Sequence, residues 1–273
     1  MNSWVNGRPG ARLDIRDRGL QYGDGVFETM RIRASRVRLF EYHLERLALG
    51  CRGLGIAEPS SRVLRREIAA AAMRRREGVL KLIVTRGPGR RGYRATGREH
   101  TTRILTLHPL PLGLDRGGGT PARLRLCATR LGLNPQLAGL KTLNRLESVV
   151  ARAEWNDARI WEGLLQDLDE NIVCGTMSNL FLRCGSNLMT PLLDRCGVAG
   201  VMRRWILETA GDLHLRATER RVGWQQLRDA EEVFMSNALI GVRSVAVIER
   251  GRERLRPSVF ETATRLREKL EQL

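Results

Sequence analysis

Apolar and polar positions alternate along this chain with two different periods. β-rich or period-two runs at Val26 to Arg33, Val37 to Phe40, Val79 to Thr85 and Arg103 to Leu107 predict strands. Helical spacing predicts helices at Glu41 to Gly53 and Ser61 to Glu77. Pro109 to Pro121 then breaks both periods with Pro-Leu-Pro and Gly117-Gly118-Gly119, which is turn and linker chemistry. Beyond it the pattern predicts strands at Leu124 to Thr129, Gly163 to Asp167, Leu180 to Arg183, Leu213 to Thr218, Glu232 to Ser236 and Ser244 to Ile248. Helices are predicted at Thr142 to Trp155, Val201 to Ala210 and from Ser258 onward. The expectation is an N-terminal domain at 1–112, a linker at 113–121 and a larger C-terminal domain at 122–273 that carries Lys141. Strands and helices mix irregularly and no repeat of 20 to 50 residues recurs, so the expected class is α+β.

Composition narrows the picture. With 273 residues and 42% hydrophobic content the chain can fill a sizeable core. It holds no run of about 18 apolar residues, and Met1 to Gly10 lacks the features of a signal peptide, so a cytoplasmic protein without a membrane partner is expected. Its five cysteines are odd in number, scattered and never spaced C-x-x-C, which predicts reduced thiols rather than a disulfide framework or zinc site. A formal charge of +17 raises nucleic-acid binding as a possibility. The basic residues, however, are spread from Arg8 to Lys269 without a dense block, and aromatic residues are only 5%, too few for base stacking. No nucleic-acid partner is expected.

Several chemistries are excluded by their missing motifs. The four histidines lack metal-ligand spacing, so no metal is expected, and no G-x-S-x-G elbow occurs. Gly87-Pro88-Gly89-Arg90-Arg91-Gly92 fits G-x-G-x-x-G, but a polar stretch leading to another strand follows it where a dinucleotide site needs a helix. Two readings stay open for this segment: a basic loop whose Arg86, Arg90 and Arg91 grip an anionic small molecule, or a solvated turn. Only Lys81, Lys141 and Lys269 among the 47 basic residues are lysines. Arginine stays protonated, so any Schiff-base chemistry must use one of these three. Lys81 sits in a strand pattern and Lys269 in a charged helix. Lys141, after Leu137-Ala138-Gly139-Leu140 and at the predicted mouth of a helix, is either a desolvated nucleophile favoured by the helix dipole or an ordinary surface lysine.

From Val5 onward the chain resembles the fold-type IV pyridoxal-phosphate enzymes, the group of branched-chain and D-amino acid aminotransferases and aminodeoxychorismate lyase. The residues that carry the resemblance are Asp17-Arg18-Gly19-Leu20-Gln21-Tyr22-Gly23-Asp24-Gly25-Val26-Phe27-Glu28-Thr29, His43-Leu44-Glu45-Arg46-Leu47, Ser178-Asn179-Leu180-Phe181, Gly197 to Arg203 and Ser236-Asn237-Ala238-Leu239. Within the family, Arg86 to Tyr93, Ala128 to Lys141 and Leu143-Asn144-Arg145-Leu146-Glu147 are similar to the lyase branch. The resemblance implies a homodimer of two-domain subunits with pyridoxal 5'-phosphate between the domains, and elimination of pyruvate from aminodeoxychorismate to leave 4-aminobenzoate, a step toward folate. It implies that Lys141 holds the cofactor and moves the substrate proton, and that Thr29 assists proton transfer to the leaving group. Arg46, Gly200, Val201 and Met202 are implied to bind the phosphate, with Asn237 and Ala238 at the same end. Arg86, Arg91, Tyr93 and Asn134 are the implied substrate contacts. For Arg46 the other reading is an exposed helix partner of Glu41 or Glu45.

One position departs from the pattern. Most members carry a glutamate five residues before the Asn of the Asn-Leu-Phe block, where it keeps the cofactor's pyridine nitrogen protonated. Here that residue is Cys174, a weak hydrogen-bonding group without charge at its ordinary pKa. Glu170 lies four residues earlier, about 13 Å along an extended strand, too far to substitute. Three readings follow: a lyase content with a weaker electron sink, an aminotransferase, or a slowed or silent relative.

Overall fold

The computed structural model describes residues 2–10, 12–97, 99–111 and 120–273. The chain divides into two compact units, residues 1–112 with 140–144, and residues 113–139 with 145–273. The first break falls where Pro109 to Pro121 disrupts both periods, although the expected linker lies outside the described residues up to Gly119.

The first unit contains β1 (Ser3–Val5), β2 (Arg8–Pro9), α1 (Arg18–Tyr22), β3 (Gly25–Arg33), β4 (Arg36–Val37), α2 (Phe40–Leu54), α3 (Ser61–Ala72), β5 (Glu77–Thr85) and β6 (Thr102–His108). Its strands form an antiparallel sheet in the order β2-β1-β6-β5-β3-β4. Because side chains alternate along a strand, β3 sends Val26, Met30 and Ile32 into a core with Leu80, Leu82 and Val84 of β5. Leu47 and Cys51 of α2 and Leu64, Ile68, Ala71 and Ala72 of α3 close that core. Each fully buried Val, Leu, Ile or Met of this core stabilises by about 1.5–3 kcal/mol. Gly50 lets α2 approach closely, since a Cβ there would lie 2.9 Å from Val26 Cγ1. The other sheet face carries the half-buried Phe27, Thr29 and Arg31, with Lys81 and Ile83 beside them.

The second unit contains β7 (Ala122–Leu131), α4 (Leu146–Arg152), β8 (Glu162–Asp167), β9 (Ile172–Gly175), β10 (Asn179–Cys184), β11 (Asn187–Pro191), α5 (Val201–Thr209), β12 (Arg216–Arg220), α6 (Trp224–Asp229), β13 (Glu232–Asn237), β14 (Gly241–Arg250), β15 (Glu253–Leu255) and α7 (Glu261–Glu271). The sheet runs β12-β11-β10-β13-β14-β7-β8-β9, with β15 on β14. It is mixed, β7 lying parallel to both β14 and β8. Leu164, Leu180, Leu182, Val233, Met235, Val245 and Ile248 fill one core, and the rings of Phe181 and Phe234 stack with centroids 5.1 Å apart.

Three expected elements differ. The helix expected from Thr142 begins at Leu146, because residues 141–143 are drawn into the first sheet. The strand expected at Val37 to Phe40 stops at Val37, where Leu39 turns into the left-handed region and α2 begins. The strand expected from Leu213 begins only at Arg216, after a 3-10 turn over Ala210–Leu213. Residues 140–144, with Lys141, group with the first unit.

Candidate active site

Lys141 is placed by an unfinished strand edge. β5 pairs with β3 along its whole length, but β4 covers only Ile32 and Arg33 on the other side. The first residues of β3 would therefore expose unpaired backbone groups. Residues 141–143 satisfy them: Phe27 N–H donates to the Lys141 carbonyl at 3.1 Å, Leu143 N–H donates to the Gly25 carbonyl at 3.0 Å, and Thr142 stands opposite Val26. The helix mouth expected beside Lys141 is absent, so no helix dipole acts on it from there. Instead its Nζ lies 4.2 Å from the centroid of the Phe27 ring. Thr29, two residues along β3, shares the Phe27 face. Lys81 stands directly opposite Thr29 across β3 and β5, and its Nζ lies 5.3 Å from the same ring.

Behind this face a buried charged group organises Arg46. Glu28, 1% exposed, accepts from Arg46 Nε at 2.8 Å on Oε1 and from a second guanidinium nitrogen at 2.5 Å on Oε2. His43 Nδ1 lies 2.6 Å from the same carboxylate. Burial by itself would raise the Glu28 carboxyl, but the charges of Arg46 and His43 win and hold it down to about 2. His43 is pushed below its ordinary value by burial, which outweighs the carboxylate, with the Arg46 and Lys141 charges adding to the effect. A neutral imidazole next to a carboxylate places its proton on Nδ1, and the buried Nε2 is left without a hydrogen-bond partner among the described residues. The reading of Arg46 as an exposed partner of Glu41 falls: Arg46 is largely buried on Glu28, and Glu41 pairs with Arg65.

In the second unit, Gly200 is the N-cap of α5, and no side chain caps the helix. A Cβ at Gly200 would lie 2.1 Å from Asn179 Oδ1, so the approach requires glycine. The Gly197 to Gly200 loop is anchored by Gly139 N–H to the Gly197 carbonyl at 3.1 Å and by Ala199 N–H to the Gly139 carbonyl at 3.0 Å. Val201 and Met202 bury their side chains and leave first-turn N–H groups at a positive helix end, suited to an anion. Asn237 donates to the Met177 carbonyl at 3.2 Å and accepts from Leu239 and Ile240 N–H, so its side chain holds a turn. Asn134 is exposed, and its backbone N–H donates to the Arg195 carbonyl at 2.7 Å. Cys174, on β9, stands opposite Leu165. Burial pushes its thiol up to about 12, with Cys196 and the charges of Glu162 and Glu147 adding and Arg145 opposing. The acids around it are already engaged, Glu162 also accepting from the Thr176 and Ser178 hydroxyls. Glu162 accepts from Gly163 and Thr176 N–H, and Glu147 accepts from Gly132 N–H. Glu170 reaches toward Arg130 at 3.4 Å.

In the basic loop after β5, Arg86 is engaged within the protein. Arg86 donates to both Asp24 oxygens, at 2.7 and 3.1 Å, and to the carbonyls of Leu54 and Gly55 at the end of α2. Its guanidinium braces the fold, with Nε, Nη1 and Nη2 all donating to protein acceptors. Arg18 is a second brace, donating to Asp24 and to the Gly92 and Tyr93 carbonyls. Arg91 is exposed, and Tyr93 is 87% exposed with its ring 5.5 Å from Tyr22. The structure therefore gathers Lys141 and Thr29 on one face and sets Arg46 behind it on Glu28. It leaves Arg86, Arg91 and Tyr93 away from any shared contact with them. Sequence reasoning missed Lys81, Phe27 and the Glu28–His43 support. The period-two alternation of β3 separates Phe27 and Thr29 from Glu28, but which strand lies opposite Thr29 is a matter of pairing.

Residues 25–248 match the amino-transferase class IV family model. The chain is 33% identical over 245 residues to an aminodeoxychorismate lyase of Vibrio harveyi, covering 90% of each. It is 27% identical over 280 residues to a putative branched-chain-amino-acid aminotransferase of Methanocaldococcus jannaschii, covering 100% of this chain and 96% of the relative. The crystal structure of 4-amino-4-deoxychorismate lyase from Pseudomonas aeruginosa superposes with a TM-score of 0.92 at 45% identity, covering 99% of this chain and 98% of that one. The chain thus belongs to the class IV aminotransferases, the fold-type IV family of pyridoxal-phosphate-dependent enzymes.

Proposed function

We propose that this chain is a 4-amino-4-deoxychorismate lyase that releases pyruvate and leaves 4-aminobenzoate, a step toward folate. The likeness to two lyases over nearly the whole chain supports the reaction class. The observation that carries the chemistry is local: the Lys141 amine and the Thr29 hydroxyl belong to one sheet face, with the Phe27 ring against the amine.

The residues fit pyridoxal 5'-phosphate at two of its ends. Lys141 is an amine held by backbone pairing, fit to link the aldehyde; in the first unit Arg46, and in the second the first turn of α5, each offers a group suited to a phosphate. At the ring nitrogen the fit is weaker, because Cys174 offers a neutral thiol where a carboxylate is usual. Bound, the cofactor supplies an electrophilic carbon and an electron-accepting ring.

With its amine free, Lys141 would remove the proton from the substrate ring carbon that bears the amino group. The Phe27 ring lies against the Lys141 amine and helps fix its position on this face. Thr29 donates a proton to the enolpyruvyl group as its C–O bond breaks. The proton that Lys141 takes from the ring replaces the one that Thr29 gives up, so both residues end as they began and an aromatic ring and pyruvate result. Formation of the aromatic ring itself favours elimination, and the weak acid at position 174 is therefore tolerable for a lyase. Amino-group transfer lacks that driving force, so the same thiol argues against the aminotransferase reading.

The working form is a cytoplasmic homodimer in this proposal. Leu146, Val149 and Val150 on α4 are 77%, 62% and 57% exposed and share one helix face, an apolar row of the sort that a subunit contact covers. None of the described helices is long and apolar enough to cross a membrane.

The test is pyruvate release from aminodeoxychorismate with no keto-acid acceptor present. Lys141→Ala is expected to abolish it and to remove the borohydride-fixed cofactor label. An absolute requirement for an acceptor, with conversion of the cofactor to its amine form, would overturn the lyase reading in favour of an aminotransferase.

A further inference from the structure

Glu162, on β8, takes no part in the proposed reaction, yet its side chain is wholly buried. Its Oε1 accepts from Gly163 N–H at 3.2 Å, Thr176 N–H at 3.1 Å and Thr176 Oγ1 at 2.5 Å. Its Oε2 accepts from Met177 N–H at 3.4 Å and Ser178 Oγ at 2.8 Å. Burial raises this carboxyl above its usual value, and the same hydroxyl and N–H donors oppose the rise. A buried polar group needs its partners in place, so a network of this size fixes the segment that supplies them. Four of the donors belong to residues 176–178, which join β9 to β10. Gly175 makes room for the network, since a Cβ there would lie 2.9 Å from Glu162 Cδ and 2.6 Å from Ser178 Oγ.

Two connections leave this segment. Asn179, directly after Ser178, donates from Nδ2 to the Val198 carbonyl at 2.9 Å, and its Oδ1 fills the space that a Cβ on Gly200 would need. Met177 offers its carbonyl to Asn237 Nδ2 at 3.2 Å, and Asn237 Oδ1 in turn accepts from Leu239 and Ile240 N–H, both at 2.9 Å. The first connection ends at the N-cap of α5, whose first turn is suited to a phosphate. The second ends at the turn after β13. One carboxyl therefore underlies both, without a side chain in either.

We infer that Glu162 is a positioning residue for the phosphate site: it holds residues 176–178, and through Asn179 and Asn237 it keeps the approach to α5 and the Asn237–Ile240 turn in the shape a phosphate needs. The inference rests on reading the first turn of α5 as a phosphate site and adds what supports that turn from behind. Glu162→Gln perturbs the support at one point. The Thr176 and Ser178 hydroxyls can turn to accept from the new amide, whereas the Met177 N–H cannot. Met177 is also the residue whose carbonyl engages Asn237.

The test compares two ligands on the full chain freed of cofactor: pyridoxal 5'-phosphate, and pyridoxal, which lacks the phosphate. Each is titrated while the visible absorbance gained on binding is followed. Glu162→Gln is expected to weaken the phosphate ester about threefold to tenfold, the range for one neutral hydrogen bond, and to leave pyridoxal within about twofold. Should that variant fold poorly, Ser178→Ala, which removes one donor from the same carboxyl, is expected to give the same selective loss. Equal losses for the two ligands would show that Glu162 acts on the fold as a whole, and that result, or no loss for either, overturns the inference. The phosphate reading fails separately, through a wild-type chain that binds pyridoxal as tightly as its phosphate ester.

Discussion

Glu28 and Arg46 meet in a two-point ion pair, Nε on Oε1 at 2.8 Å and a terminal guanidinium nitrogen on Oε2 at 2.5 Å, with the carboxylate sealed from water. The pair joins β3 to α2, so the strand that carries Thr29 and the helix that carries Arg46 are tied by a buried ionic contact. Glu28→Ala strands a largely buried guanidinium and is expected to cost about 3–5 kcal/mol of stability, measured by urea unfolding. A loss below about 1 kcal/mol would mean that the pair contributes no more than a surface bridge.

The same cluster sets the response to acid. Both folded values are depressed, His43 below 6.5 and Glu28 from 4.5 to about 2, so each group adds stability above its unfolded value that is lost as pH falls. Thermal melts should therefore show stability declining first below 6.5, from His43, and again between about 4.5 and 2, from Glu28. In His43→Gln the first decline should shrink while the second remains. A variant that melts with the unaltered pH profile contradicts this assignment.

Arg86 should behave as a brace. Arg86→Ala leaves the partly buried Asp24 with Arg18 alone and removes donors from the Leu54 and Gly55 carbonyls. The expected loss is about 1–3 kcal/mol of stability with KM changed less than about twofold. A large rise in KM with an unaltered melting curve would return Arg86 to the substrate.

Cys174 should act as a neutral group throughout. With its thiol at about 12, the pH profile of pyruvate release should show no limb from this residue, and alkylation at neutral pH should be slow. Cys174→Glu is expected to raise amino-group transfer to a keto acid by about tenfold, because a charge-assisted hydrogen bond is roughly twice as strong as a neutral one. Parallel assays of both reactions on one preparation measure the ratio. If pyruvate release rises as much as transfer, the thiol impairs the native reaction instead of suiting it.

Local order along the chain was sufficient for much of this protein. Periods of two and 3.6 residues located β3, β5, α2 and most of the second sheet, because alternation and helical spacing are written in neighbouring residues. The scarcity of lysine isolated Lys141, and the spacing of His43 and Arg46 put both on one helix face. Pairing was not legible, since strand partners come from distant segments. Only the folded chain takes 141–143 out of a predicted helix and onto the open edge of β3, where the local helical preference yields to two long-range backbone hydrogen bonds. Only it engages Arg86 with Asp24, buries Glu28 beneath Arg46, and brings Lys81 opposite Thr29. A residue's type determines what chemistry it can offer; its partners, and hence whether that chemistry is free for a ligand, are decided by contacts between residues far apart in the chain.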